Sequence, residues 1–175
     1  SEIEEVDERI KALLKRSTES SKRVEDEARR LMKEDKDSSK EVEDRLRDLL
    51  RKVREKLRDS KETVEEVERR VTELAERSRR ISRENAERLK DLLRKSKESL
   101  ERNRRDAERV RKLLRDGMDL KKVLDDLKRS SEEHHRLNEE LLKRAEDSSR
   151  TSHRLNRKLV EEVRRLVEKV LEEVR

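Results

Sequence analysis

The chain has 175 residues, 56% of them charged and 28% hydrophobic, with no aromatic residue, no Cys, no Pro and one Gly. Such a composition lacks the turn residues of a β fold and the aromatics of an ordinary mixed core, and it excludes disulfides and thiol chemistry. The net charge of +6 comes from 52 basic and 46 acidic residues that alternate within a turn or two, as in Glu65 to Arg70, which is the pattern of solvated helix faces.

High charge would favour disorder, but apolar residues recur every three or four positions along nearly the whole chain, a periodicity that disordered segments lack. The expected fold class is therefore all-α: an elongated antiparallel helical bundle or coiled coil of three helices per chain, completed by one or more partner chains. No stretch approaches the 18 or so apolar residues of a membrane span, and no apolar leader is visible, so the protein is expected to be soluble and, if natural, cytoplasmic.

Helix 1 is predicted over residues 2 to 34. Ile3, Val6, Ile10, Leu13 and Leu14 precede Ser17, Ser20 and Ser21, and Val24, Ala28 and Leu31 follow on the same side. The run Glu34 to Ser39 interrupts the pattern and ends in a capping-box match, Ser38 with Glu41, so it is read as a loop. Helix 2 is predicted over 39 to 116, because the seam Leu46, Leu50, Val53, Leu57, Ser60, Val64, Val67, Val71, Leu74, Ser78, Ile81 and Asn85 keeps its phase. A competing reading breaks it near 59 to 63, where Thr63 and Glu66 also match a capping box. Gly117 suits the left-handed residue after a helix, and Asp119 can cap helix 3 over 119 to 175. The chain is then one elongated unit, 1 to 175, or two fused hairpins, 1 to 71 and 59 to 175, sharing the central helix. No repeat longer than the heptad is read.

Polar residues occupy positions where a core belongs. In the third segment Leu120, Leu124 and Leu127 give way to Ser131, His134 and Asn138, and Leu141 and Ala145 to Ser148, Ser149, Ser152 and Asn156. An unpaired polar group in a core costs about 1 to 3 kcal/mol, so these side chains are expected to pair with one another. An antiparallel hairpin pivoting at Gly117 joins residues whose numbers sum to about 235, which sets Asn103 against Ser131 and His134. It also places Ser96 and Ser99 near His135 and Asn138, Ser82 and Asn85 against Ser149, Ser152 and His153, and Ser78 near Asn156. Ser17, Ser20 and Ser21 fall near residues 52 to 56 if the first loop is at 35 to 38, and find no polar partner there except by a shift toward Ser60. The stripe Leu93, Leu100, Ala107 and Leu114 is also left uncovered by two helices. Both features point to a partner chain, a second copy or a different protein.

His134, His135 and His153 are the only residues inviting a chemical reading. Each imidazole serves as a network donor and acceptor, or as a pH switch that weakens the assembly below about pH 6. Glu132 and His135 match the Glu-x-x-His spacing of di-iron bundles, but no second pair accompanies them, so neither metal nor cofactor is expected. No Gly-rich turn or nucleophile elbow exists, so an enzyme acting on a small-molecule substrate is not expected. Basic residues Arg102, Arg104, Arg105, Arg109, Arg111 and Lys112 are interrupted by Glu101, Asp106 and Glu108, with no stacking platform for specific nucleic-acid binding. No membrane partner is expected either.

The Ser-rich and Asn-rich seams (Ser96, Ser99, Asn103; Ser148, Ser149, Ser152, Asn156), together with His134 and His135 and a surface of Glu, Lys, Arg and Asp, resemble de novo designed helical bundles with modular buried hydrogen-bond networks, including designed heterodimers of helical hairpins. The resemblance covers the whole chain and is one of pattern. It implies a structural protein whose Ser/Asn/His layers specify helix pairing and oligomerisation, because mispaired registers strand buried polar atoms.

Overall fold

The computed structural model describes residues 1–173 and contains three long helices and no strand among them. Helix α1 spans Glu2–Lys56, α2 spans Lys61–Arg115 and α3 spans Leu120–Glu173. The all-α, three-helix expectation holds, while the first boundary moves: α1 runs straight through Glu34 to Ser39, and the chain turns instead at Leu57 to Ser60. The predicted helix 2 is therefore two helices, and the competing break near 59 to 63 lies at the observed turn. The last two positions of the predicted third helix lie outside the described residues.

The misplaced loop has a physical cause. Asp35 is 2% exposed and accepts a hydrogen bond from Ser152, and Ser38 pairs with His153. Asp and Ser signal loops when they bond their own backbone, but here they face a neighbouring helix. The true turn carries no Gly or Pro. Ser60 N–H donates to the Leu57 carbonyl at 3.0 Å and Leu57 itself stays 3% exposed, so the apolar seam crosses the turn without losing phase.

The second turn is built as expected. Met118 N–H donates to Leu113 O and Gly117 N–H to Leu114 O, with Gly117 at φ 80°, a Schellman closure that only a residue without a Cβ adopts freely. Asp119 Oδ1 accepts from Lys121 N–H at 3.2 Å and caps α3. Basic residues in the last turns of α1 (Arg54, Lys56) and α2 (Lys112, Arg115) complement the helix dipoles.

The chain divides into two compact units, each taking one segment from every helix. Unit 1 comprises residues 1–30 and 89–146, and unit 2 comprises 31–88 and 147–175. This division differs from the hairpins 1 to 71 and 59 to 175. Unit 1 has an apolar cluster of Val6, Ile10, Ala107, Val110, Leu114, Val123, Leu124 and Leu127. The cluster of unit 2 gathers Val42, Leu46, Val53, Leu57, Val67, Val71, Leu74, Leu159, Val160, Val163 and Val167. Within each unit α1 is antiparallel to α2, as Asp7–Arg111 with Ser21–Ser96 (unit 1) and Glu43–Arg79 with Arg54–Glu68 (unit 2) require. It is parallel to α3, as Ser17–His134 with Ser20–Asn138 (unit 1) and Asp35–Ser152 with Ser38–His153 (unit 2) require. The stripe that called for a partner chain is packed within the chain: Ala107 and Leu114 are buried and Leu93 and Leu100 half-buried.

Candidate functional site: two buried polar layers

In unit 1 the polar positions of three helices converge on one imidazole. His134 Nδ1 lies 2.6 Å from Ser99 Oγ, and Nε2 lies 2.9 Å from Ser21 Oγ and 3.2 Å from the Ser17 carbonyl. Asn138 Nδ2 donates to Ser20 Oγ at 2.8 Å and to Ser21 Oγ at 3.4 Å, while Ser96 Oγ–H donates to Asn138 Oδ1 at 2.8 Å. Nε2 also lies 3.1 Å from Asn138 Nδ2, so a proton on Nε2 suits the Ser17 carbonyl, which can only accept, but opposes the Asn138 amide, which can only donate; the two contacts favour different tautomers. His134 is 2% exposed. A neighbouring pair extends the layer: Asn103 Nδ2 donates to Ser130 Oγ and Ser131 Oγ, and Ser130 donates to Asp106.

The side chains of Ser20 and Ser21 therefore have partners in the same chain, whereas Ser17 engages through its carbonyl and its Oγ stays unpaired. Moving the first turn to Leu57 to Ser60 changes the α1–α2 pairing sum to about 117, which brings Ser21 to Ser96, with an Oγ–Oγ distance of 3.3 Å. Ser20 and Ser21 thus do not need another chain to supply their partners. The placement of Ser60 is corrected, since it sits in the turn and not in a polar layer.

In unit 2 the wiring is more divided. Ser78 donates to Asn156 Oδ1 at 2.9 Å; Asn85 donates to Ser149 and accepts from Ser148 at 2.5 Å; Ser152 donates to Asp35 at 2.8 Å; His153 Nδ1 pairs with Ser38 at 3.2 Å. Ser148 Oγ also accepts from Arg88. The pairing sum around Gly117 is met throughout, at 234 for Ser78–Asn156 (78 + 156) and Asn85–Ser149 (85 + 149). Four buried side-chain atoms among the described residues have no protein partner: Ser17 Oγ and Asn103 Oδ1 in unit 1, Ser82 Oγ and Asn156 Nδ2 in unit 2. Ser82 thus lies among polar residues but makes no bond with them.

The histidines occupy three different settings. Burial, above all, pushes the His134 pKa below the usual imidazole range, aided by the charges of His135 and Arg102 and opposed by the bond to the Ser17 carbonyl. His135 is half-buried, tilted 48° against His134 at a centroid distance of 6.0 Å, and also lowered, first by burial and then by Arg16. It does not join the network that its sequence position promised. His153 is half-buried against Ser38. Among the described residues no three His, Cys, Asp or Glu side chains gather to hold a metal, and no helix is long and apolar enough to cross a membrane.

Sequence reasoning passed over Asp35, Ser38, Ser130, Asp106 and Arg88. A longer period would have found most of them. Ser17, Ser20 and Ser21 recur eighteen residues on as Asp35, Ser38 and Ser39; Ser78 and Asn85 as Ser96 and Asn103; Ser130, Ser131, His135 and Asn138 as Ser148, Ser149, His153 and Asn156. Eighteen residues make about five turns, so equivalent positions return to the same helix face. No family model, curated protein or solved structure matches the chain.

Proposed function

We propose that this chain is a designed structural protein, a three-helix bundle whose buried Ser/Asn/His layers fix how its helices pair. The observation that carries this reading is the His134 layer, in which one imidazole and one amide bond hydroxyls from both other helices. A misaligned helix strands several buried polar groups at once, each worth about 1 to 3 kcal/mol, whereas an apolar core tolerates slippage more easily. The resemblance to designed network bundles supports the same conclusion. Its role is to present a helical framework and not to perform catalysis.

Of the grounds for a partner chain, Ser20 and Ser21 bond α2 or α3 and the apolar stripe is covered within the chain, which leaves Ser17 Oγ as the one α1 serine hydroxyl without a partner. The reading is accordingly of a self-sufficient chain. Light scattering coupled to size-exclusion chromatography is expected to give a monomer of about 21.2 kDa at micromolar concentration. A stable dimer or trimer would restore the assembly reading.

A second reading, a pH-responsive module, is favoured by the buried His134 and its lowered pKa. It predicts weakening of the bundle on acidification, with the direction worked out below.

A further inference from the structure

The eighteen-residue correspondence repeats the polar plan of the two units but reverses its details in a coordinated way. In unit 1 a small α1 residue, Ser17, meets a large α3 residue, His134, whose Nε2 reaches the Ser17 carbonyl. In unit 2 the equivalent pair is inverted in size, with Asp35 on α1 and Ser152 on α3 joined at 2.8 Å. On α2 the change follows suit: Ser99, which holds His134 Nδ1, corresponds to Ile81, where no imidazole needs a partner.

Part of the charge flanking these layers inverts as well, although Glu19 and Arg136 of the unit 1 groove keep their signs in Asp37 and Arg154. Arg23 of α1 and Glu139 of α3 line one groove in unit 1. Their equivalents eighteen residues on, Glu41 and Arg157, line the corresponding groove in unit 2 with the signs exchanged. Arg45 and Glu161 share that groove, and their unit 1 equivalents are Glu27 and Lys143. The groove-sharing combinations Arg23 with Glu139, Glu41 with Arg157 and Arg45 with Glu161 are opposite in sign within their own unit, and each would become like-charged if an α1 segment met the other unit's α3, although Glu41 and Arg45 also pair with each other along α1. Core size and flank charge, two unrelated properties, thus reject the same error.

We infer that Ser17 and Arg23 on one side, and Ser99, His134 and Glu139 on the other, form a pairing code by which unit 1 accepts its own α1 segment and rejects that of unit 2. The code rests on the proposed role of the polar layers and extends it to discrimination between two segments of one chain. Short turns already prevent long slips within a molecule. They do not prevent an α1 segment from pairing with the wrong unit of a second copy during folding, which is where such discrimination acts.

A cycle in the full chain tests it. One variant writes the unit 2 residues into α1 (Ser17→Asp with Arg23→Glu), a second writes them into the complement (Ser99→Ile, His134→Ser and Glu139→Arg), and a third combines both. Urea unfolding is followed by circular dichroism at pH 8 and low salt, where the imidazole is neutral and cannot rescue the introduced carboxylate by ion pairing. Each partial variant is expected to lower the midpoint by about 1 M or more, and the combined variant to lose less than half the sum of the two. Additive losses, or partial variants indistinguishable from the parent, would overturn the code. If a partial variant fails to fold, a combined variant that folds cooperatively still supports it, and a combined variant that also fails refutes it. The molar mass of the parent chain tests the framework reading separately, so the two can fail independently.

Discussion

In unit 1 a single imidazole bonds hydroxyls on both other helices, whereas eighteen residues later the same place holds Ser152, which reaches only Asp35. Asn138 shows the contrast again: its amide serves Ser20, Ser21 and Ser96, while Asn156, its equivalent, accepts from Ser78 and leaves Nδ2 without a protein partner. The same polar plan thus yields one connected network and one set of separate pairs. Connectivity, and not the number of polar residues, decides how much a layer constrains its helices, because a group that bonds several partners strands all of them when it is lost.

The widest separation between the layers should come from replacing each amide by an apolar isostere. Asn138→Leu is expected to destabilise by about 2 to 4 kcal/mol, since Ser20, Ser96 and His134 lose a neighbour together. Asn156→Leu should stay within about 1 kcal/mol of the parent, because it removes an unpaired donor and Ser78 can turn to its own helix backbone. Urea denaturation of both variants checks the difference, and equal losses would mean that the layers are wired alike.

Acidification should separate the layers next. His134 in the folded chain holds its proton less tightly than the ordinary imidazole value of about 6.5, so between those two values the unfolded chain binds more protons. Stability is full above about pH 6.5 and is lost as the pH falls through the unfolded value toward the folded one. The unfolding midpoint should therefore drop between pH 8 and pH 5. Part of that drop should vanish in His134→Gln, with His135, whose pKa burial also lowers, sharing the rest; a slope unchanged by His134→Gln would assign the effect elsewhere.

A smaller effect, of opposite sign, is expected in unit 2. Asp35→Asn keeps an acceptor for the Ser152 hydroxyl while removing a charge from a position 2% exposed. It should raise stability at neutral pH by about 1 kcal/mol, read as a higher melting temperature. The ion pairs Arg54–Glu68 and Arg70–Glu162 also join helices of unit 2, but with side chains at the surface or only half-buried they contribute little each and leave these comparisons unaffected.

Much of this was legible in the sequence. The helical class followed from the three-and-four spacing, and the α2–α3 register followed from Gly117, because a left-handed glycine next to Asp119 leaves little choice of pivot. The α1 register was not legible, for two linked reasons. Asp35 and Ser38 carry loop chemistry but spend it on another helix, and the real turn at Leu57 to Ser60 is made of residues that fit a helix equally well. Misplacing that turn moved Ser21 away from Ser96 and made a filled layer look half empty. The eighteen-residue offset between Ser17 and Asp35 was present throughout, but a seven-residue frame hides it, since 18 is not a multiple of 7.

The closure after α2 has a consequence for chirality. Gly117 holds φ at 80°, and a Cβ built there meets nothing within 4 Å. That backbone is strained for an L-residue even though its Cβ has room, and natural for its mirror image, so D-alanine introduced by ligation at this one position is expected to adopt the turn without backbone strain. It would narrow the unfolded ensemble and stabilise the bundle by about 0.4 to 1 kcal/mol, while L-alanine at the same place would destabilise it. The turn selects for hand through its backbone and not through a crowding neighbour.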